Sequence, residues 1–286
     1  MAGGDSGHHV GNGRGIADVD EELGLRRPHT ARMYDYFLGG MTNYQVDRET
    51  AVAALQAYPN ATVAARQNRA FMHRVVRYLG RERGIRQFLD IGTGVPTEPN
   101  LHQVAQTEHP ESRVVYTDND PIVLTYARAL LTGTREGATD YVEADVREPQ
   151  RILEHARTFL DFEQPVALSV IALFHFLDDE DDPFGLVKQL VEALSPGSSL
   201  ALTHGTVDLD PGMQALADAY NERGVTTRFR THEEVLRFFD GLDLVDPGLV
   251  PTCDWRPEFA AEGMAQLPGM VDASEVGVWA GLGIKP

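Results

Sequence analysis

Two glycines and three carboxylates, set at the ends of successive apolar runs, carry the chemistry of this chain. Gln87-Phe88-Leu89-Asp90-Ile91-Gly92-Thr93-Gly94-Val95-Pro96 reads as a buried strand entering a tight glycine turn with a helix beyond it. A second strand, Arg113-Val114-Val115-Tyr116-Thr117-Asp118, closes on an acid. Strand, glycine turn, helix, strand and acid is how an open parallel sheet makes a nucleoside pocket. The glycines admit the ligand to the backbone, and the acid accepts hydrogen bonds from ribose hydroxyls. The dinucleotide fingerprint asks for a third glycine, and Thr97 stands there behind Pro96. Asp90, just ahead of the turn, suits a cation better than a phosphate. Both facts favour S-adenosylmethionine, an adenosine carrying a positively charged sulfur, over NAD.

Further along, Glu143-Ala144-Asp145-Val146 follows a third strand. Asp145 is placed to take an adenine amino group, and Val146 to offer its backbone N–H. A fourth strand ends in Ile171-Ala172-Leu173-Phe174-His175, which sets Leu173 and His175 beside the sulfur and the methyl acceptor. Each residue also has a plainer reading. Gly92 and Gly94 alone make a strand-to-helix turn. Asp118 and Asp145 could each cap a helix, although Asp120 before Pro121 is the better cap. His175 by itself is a loop or half-buried histidine before it is a base. The run Asp178-Asp179-Glu180-Asp181-Asp182 reads as a solvated loop, with Asp182-Pro183 opening a helix, and no metal is assigned to it. Thr231-His232-Glu233-Glu234 is a capping box. It is not a zinc motif, because Leu236 stands where the second histidine belongs. The order of these features carries the inference.

The elements that position them fall into three zones. Residues 1–20, rich in Gly, Asp and His, read as a disordered tail without the apolar core of a secretory signal. Residues 21–84 are helical in pattern, with helices expected over 47–58 and 61–79, broken by Pro59-Asn60. The second is expected to turn Val63, Ala70, Val75, Val76 and Leu79 inward and Arg66, Arg69, Arg74 and Arg77 elsewhere. From residue 85 to 286 strands alternate with helices, which implies a parallel sheet. Strands are expected at 87–91, 113–117, 140–143, 166–171 and 199–203, and helices at 98–107, 121–131, 149–159, 183–194 and 211–223. Two last strands, 242–250 and 275–284, suggest a closing hairpin with one strand inserted antiparallel. That hairpin separates an α/β class I methyltransferase (Rossmann-like) fold from a dinucleotide-binding one. The expected whole is a mostly parallel seven-stranded sheet, helices on both faces, and an N-terminal helical lid.

At 286 residues and 42% apolar composition the chain can bury a large core. A formal charge of −18 opposes non-specific binding to nucleic acid or anionic lipid. A single cysteine, Cys253, leaves no internal disulfide and no multi-thiolate metal centre. No apolar run reaches the length of a membrane span. A soluble, cytoplasmic protein with no nucleic-acid or membrane partner is expected.

A resemblance extends this reading. Arg27-Pro28-His29-Thr30-Ala31-Arg32-Met33-Tyr34-Asp35-Tyr36-Phe37-Leu38-Gly39-Gly40, with Asn43 and Asp47-Arg48, resembles the N-terminal signature of a mainly actinobacterial family designated S-adenosyl methyltransferase. The similarity continues through Gln67-Asn68-Arg69, Asp90 to Thr97, Tyr116 to Pro121 and Ala144 to Arg147, covering nearly everything after the tail. It implies a class I fold, S-adenosylmethionine as cofactor, and an N-terminal helical lid over the donor. By position it makes Tyr34, Tyr36, Gly40, Asn43 and Arg69 ligand-side candidates. Met41 stands where the family often has lysine.

The catalytic candidates are His175 or His29, as base for a hydroxyl acceptor, and Tyr34, which would shape the pocket or hold the cation over its ring. In-line methyl transfer can proceed by alignment in a dry site without a dedicated base. The lid and the negative charge point to a small-molecule acceptor. Two alternatives remain open: a donor-binding sensor without transferase activity, and an NAD-dependent oxidoreductase.

Overall fold

The computed structural model describes residues 25–130, 133–261 and 270–286. The proposed tail, 1–20, lies outside them. The parallel sheet begins with β1 (Gln87–Ile91), β2 (Arg113–Asp118) and β3 (Ala138–Glu143), and continues with β4 (Ala167–Val170) and β5 (Ser199–Gly205). β8 (Val278–Ile284) then inserts antiparallel beside β5, and β6 (Asp243–Leu244) pairs antiparallel with β8, giving the order 3-2-1-4-5-8-6. β7 (Val250–Pro251) also pairs with β8. The expected single strand over 242–250 is therefore two short pieces flanking Pro247-Gly248. Proline withdraws a ladder donor there, and Gly248 has φ +89°, outside the extended region. Counting the pieces as one strand gives the seven-stranded class I methyltransferase order.

β1 is buried along its whole length because helices cover both faces. Phe88 and Val114 pack with Phe71, Val75 and Leu79 on one side, while Leu89 and Val115 pack with Ile152, Leu153 and Leu190 on the other. Those partners come from α3 (Ala61–Arg83) on the first face, and from α6 (Pro149–Phe159) and α7 (Pro183–Glu192) on the second. Proline opens α6 and α7 as expected, and the Asp182 carboxylate accepts from the Gly185 N–H at the start of α7.

The N-terminal helices are α1 (Thr30–Leu38), α2 (Gln45–Ala57) and the first half of α3. They pack Met33, Phe37, Ala51, Ala54, Ala61 and Ala65 against Met213, Leu216 and Tyr220 of α8 (Met213–Asn221). α3 ends where Gly84 adopts a left-handed cap. Its expected faces need correcting. Val63 and Ala70 are only half-buried, whereas Arg74 is buried and reaches the carbonyls of Trp255 (2.7 Å) and Thr252. α4 (Leu101–Glu108) begins three residues later than expected, because Asn100 forms its capping box with Gln103. α5 (Pro121–Leu130) and α9 (His232–Leu236) complete the α-helices of the described residues. No helix among them is long and apolar enough to cross a membrane.

Candidate active site

A cavity of about 280 Å³ opens over the carboxyl ends of β1, β2, β3, β4 and β5, under α1 and α3. That is where a parallel sheet with helical crossovers leaves its crevice. The glycine turn forms the floor. Gly92 and Gly94 have φ +72° and +69°, a region that other residues enter only with strain, and a Cβ on Gly92 would overlap Leu173 at 2.9 Å. Three bonds clamp the turn to β2. Gly92 N–H and Thr93 N–H donate to Thr117 O (2.9 and 3.0 Å), and Gly94 N–H donates to Asp118 Oδ2 (2.9 Å). The other Asp118 oxygen accepts from Asp120 N–H at 2.9 Å. Burial raises the Asp118 carboxyl, against a pull downward from His29. Asp90 is also buried at the cavity, and burial pushes its carboxyl up to about 6 against the pull of Ser169 and Arg69.

Asp145 and Val146 line the same cavity. Asp145 is heavily engaged: Asn119 Nδ2 donates to it at 2.8 Å, Arg147 N–H at 2.9 Å, and Arg147 Nη1 at 3.2 Å to both oxygens. Arg147 also binds Asp181 at 2.6 Å, which ties the loop after β3 to the acidic run. Two more carboxylates of that run are engaged. Asp178 caps the turn that follows it, and Asp179 meets Arg228 and Arg230 at 2.9 and 3.0 Å.

Among the lid candidates, the structure brings Tyr34 and Arg69 to the cavity and leaves Tyr36, Gly40 and Asn43 away from it. Tyr34 OH donates to Ala65 O (2.9 Å) and accepts from Asn68 Nδ2 (3.1 Å), and burial raises its hydroxyl. Arg69 donates to the carbonyls of Thr97 and Pro99, pinning α3 to the loop beyond the glycines. Tyr36 packs edge-on against Phe37. Gly40 and Asn43 build the turn after α1, where Asn43 Nδ2 donates to Asp35 Oδ2 (2.7 Å) and Gly40 O (3.0 Å). Met41 stands 93% exposed on that turn.

His29 lines the cavity as the N-cap of α1, its Nδ1 accepting from Ala31 N–H at 3.3 Å. The same nitrogen lies 3.3 Å from Asp120 Oδ2. His175 also lines the cavity and is buried. Desolvation, then Arg230, lowers its pKa to about 3, far below a base matched to neutral pH.

Sequence reasoning missed two features. One is a buried junction: Arg32 donates to Asp47 (2.9 Å) and Asp120 (3.2 Å), linking α1, α2 and the loop after β2. Its only signal was the pair Arg32 and Asp47 inside the N-terminal signature. The other is Asn68, whose Oδ1 has no hydrogen-bond partner among the described residues, as is true of Arg69 Nε. An unpaired acceptor and an unpaired donor on residues that line one cavity with the Asp90 carboxylate are the complement of an amino-acid zwitterion. With the buried ribose-type acid, they fit a methionine-bearing nucleoside.

The model of one family, described as S-adenosyl methyltransferase, matches residues 17–286. The chain belongs to this family. The S-adenosyl methyltransferase chain is 45% identical to a DUF574-family protein from Streptomyces avermitilis MA-4680, with a TM-score of 0.86 over 92% of this chain and 100% of that one. It is 39% identical to a provisionally assigned methyltransferase from Thermobifida fusca YX, TM-score 0.83, over 92% and 97%. Both sources are actinobacteria. The plantazolicin methyltransferase BamL, solved with a triazolic desmethylPZN analog and SAH, shares the fold at 12% identity and TM-score 0.52, over 95% and 99%. Among curated proteins, none matches. Family membership makes the chain an S-adenosylmethionine-dependent methyltransferase with a methyl acceptor as its second substrate.

Proposed function

We propose that the cavity binds S-adenosylmethionine along Gly92 and Gly94, with its ribose on Asp118, and that a small molecule seated under α1 and α3 receives the methyl group. The observation that carries this reading is the bond from Gly94 N–H to Asp118 Oδ2, which locks the turn and the acid into one preformed floor. When bound, S-adenosylmethionine supplies an electrophilic methyl on a sulfonium, which an acceptor lone pair can take in line. The chain's own residues bind and orient. Asp118 keeps lone pairs for ribose hydroxyls. Asn68 and Asp90 offer acceptors to the ammonium group, and Arg69 offers a donor to the carboxylate. Val146 N–H meets the adenine ring more simply than Asp145 does, since Arg147 and Asn119 already hold that carboxylate. A cavity of about 280 Å³, near the lower end for small-molecule sites, favours a small acceptor over a polymer.

Calorimetric titration tests this reading. S-adenosylmethionine should bind and NAD should not. Asp118→Ala should weaken donor binding about a hundredfold, since hydrogen bonds to a charged group contribute about 1.5–3 kcal/mol each. Asp118→Asn, which keeps an acceptor for Gly94, controls for loss of the floor. A folded wild type that ignores the donor would overturn the proposal.

A further inference from the structure

Part of the cavity is walled by Phe37 and Ala61 from the N-terminal helices, Met213 and Tyr220 from α8, Phe176 from the turn after β4, and Phe229 from the segment before α9. His175 is set among these walls, its ring centroid 4.3 Å from that of Phe176 and 5.8 Å from that of Phe229. Its tautomer follows from its neighbours. Gly205 N–H lies 3.4 Å from His175 Nδ1, and a peptide N–H can only donate. Nδ1 therefore presents its lone pair, and the ring proton of the neutral imidazole sits on Nε2.

The surroundings hold this arrangement. Arg230 Nη1 donates to His204 Nε2 at 3.1 Å, so the His204 proton must be on Nδ1, where it donates to Gly205 O at 2.8 Å. Gly205 thus accepts a hydrogen bond from His204 at its carbonyl and donates one to His175 from its N–H. Arg230 is itself fixed by the carbonyls of Phe174 (3.1 Å) and Leu177 (3.2 Å) and by Asp179 (3.0 Å). Its charge, together with burial, keeps a second proton off His175. The charged residues lining the cavity, Arg69, Asp90, Asp118, Asp145 and Arg147, come from α3, β1, the end of β2 and the loop after β3, and none is among these apolar walls.

We infer that this apolar arm takes an uncharged, largely apolar small molecule bearing an oxygen or nitrogen lone pair, and that His175 anchors that lone pair as a donor through Nε2–H. Naming the molecule as the methyl acceptor rests on the donor reading above; the chemistry of the arm does not. A charged group here would be buried without a partner, which is costly, whereas one lone pair on an apolar frame meets one N–H. His175 is on this account a positioning residue and not the base that deprotonates the acceptor.

Three matched probes test it on the full chain, with and without S-adenosylhomocysteine: 2-naphthol, 2-methylnaphthalene and 2-naphthoate, followed by ligand-observed NMR and calorimetry. The expected order is naphthol first, methylnaphthalene up to about tenfold weaker for the lost hydrogen bond, and naphthoate last. In His175→Phe the advantage of naphthol should vanish. A second readout needs no variant: ¹⁵N shifts of histidine-labelled wild type should show His175 neutral and protonated on Nε2 at pH 5. Tightest binding by naphthoate, an undiminished naphthol advantage in His175→Phe, or an Nδ1–H or charged ring at pH 5 would each overturn the inference. If S-adenosylhomocysteine fails to bind but the probes keep their order, the arm stands and the donor reading falls. If it binds and the order fails, the reverse holds.

Discussion

At the floor of the cavity, Gly92, Thr93 and Gly94 each give a backbone N–H to β2, and Asp118 receives two such donors. In the roof, Phe37, Ala61 and Ala65 pack against Met213, Leu216 and Tyr220. The two regions hold a ligand by different physics. Hydrogen bonds are directional and set donor and acceptor within a few tenths of an ångström, so the floor selects one constellation of polar atoms. Apolar contacts set a volume and tolerate any shape of about the right size. A floor of the first kind suits a donor common to every turnover. A roof of the second kind suits an acceptor recognised by size and shape more than by its polar atoms.

The largest test of this contrast lies where roof and floor meet. Arg32→Met leaves the buried Asp47 and Asp120 carboxylates without their shared guanidinium, which should cost about 3–5 kcal/mol in urea unfolding. A loss below about 1 kcal/mol would mean that apolar packing alone joins the two. Asp90 tests the floor by charge. Its folded pKa, about 6, lies above the ordinary 3.8, so folding favours its protonated form. The stability it contributes is full below about pH 4 and is lost as pH rises through about 6, a swing on the order of 3 kcal/mol that Asp90→Asn should flatten. The same ionisation should raise affinity for the cationic donor across that window, by up to about tenfold per pH unit; affinity that is flat with pH would separate Asp90 from the cation.

Ala172, at the end of β4, tests whether the floor stores strain. It holds φ +55°, a conformation costing roughly 1–2 kcal/mol for a residue with a Cβ. Ala172→Gly should stabilise by up to about 1 kcal/mol in thermal unfolding, once glycine's greater chain entropy is subtracted. The smallest effect belongs to Met41→Lys. Far out on the exposed turn after α1, it should leave donor affinity within about twofold, as calorimetry would show.

Some of this was legible in the residues and some was not. β1, β2 and the turn between them were readable because buried strands are continuous apolar runs and the turn demands glycine. The place of Asp118 at the end of β2 followed from the same run. What escaped is what depends on distant partners. Arg74 looks like a surface residue by helical spacing, yet it meets the carbonyls of Thr252 and Trp255, 178 and 181 residues away. Arg32 finds Asp120 across 88 residues. The tautomer of His175 needs three elements in place at once. The signature residues Gly40 and Asn43 were visible as a motif, but only the turn they build shows that their bonds go to Asp35 and not into the cavity.

α3, with 23 residues and a length of about 35 Å, belongs to both regions. Its first turns carry Ala61 and Ala65 in the roof, and its later turns wedge Phe71, Val75 and Leu79 under the sheet, with Arg74 bolted to the 252–255 loop. It is a beam, not a hinge. A fragment starting at residue 85 would bare one face of the sheet, so residues 85–286 are no independent unit. α1 and α2 meet the strand-end side through the Arg32 junction, whereas α3 is tied to both regions along its length. Grafting residues 25–60 from a relative would therefore exchange the outer roof, and the roof would keep its hold on Asp120 only if the graft carries the arginine at position 32.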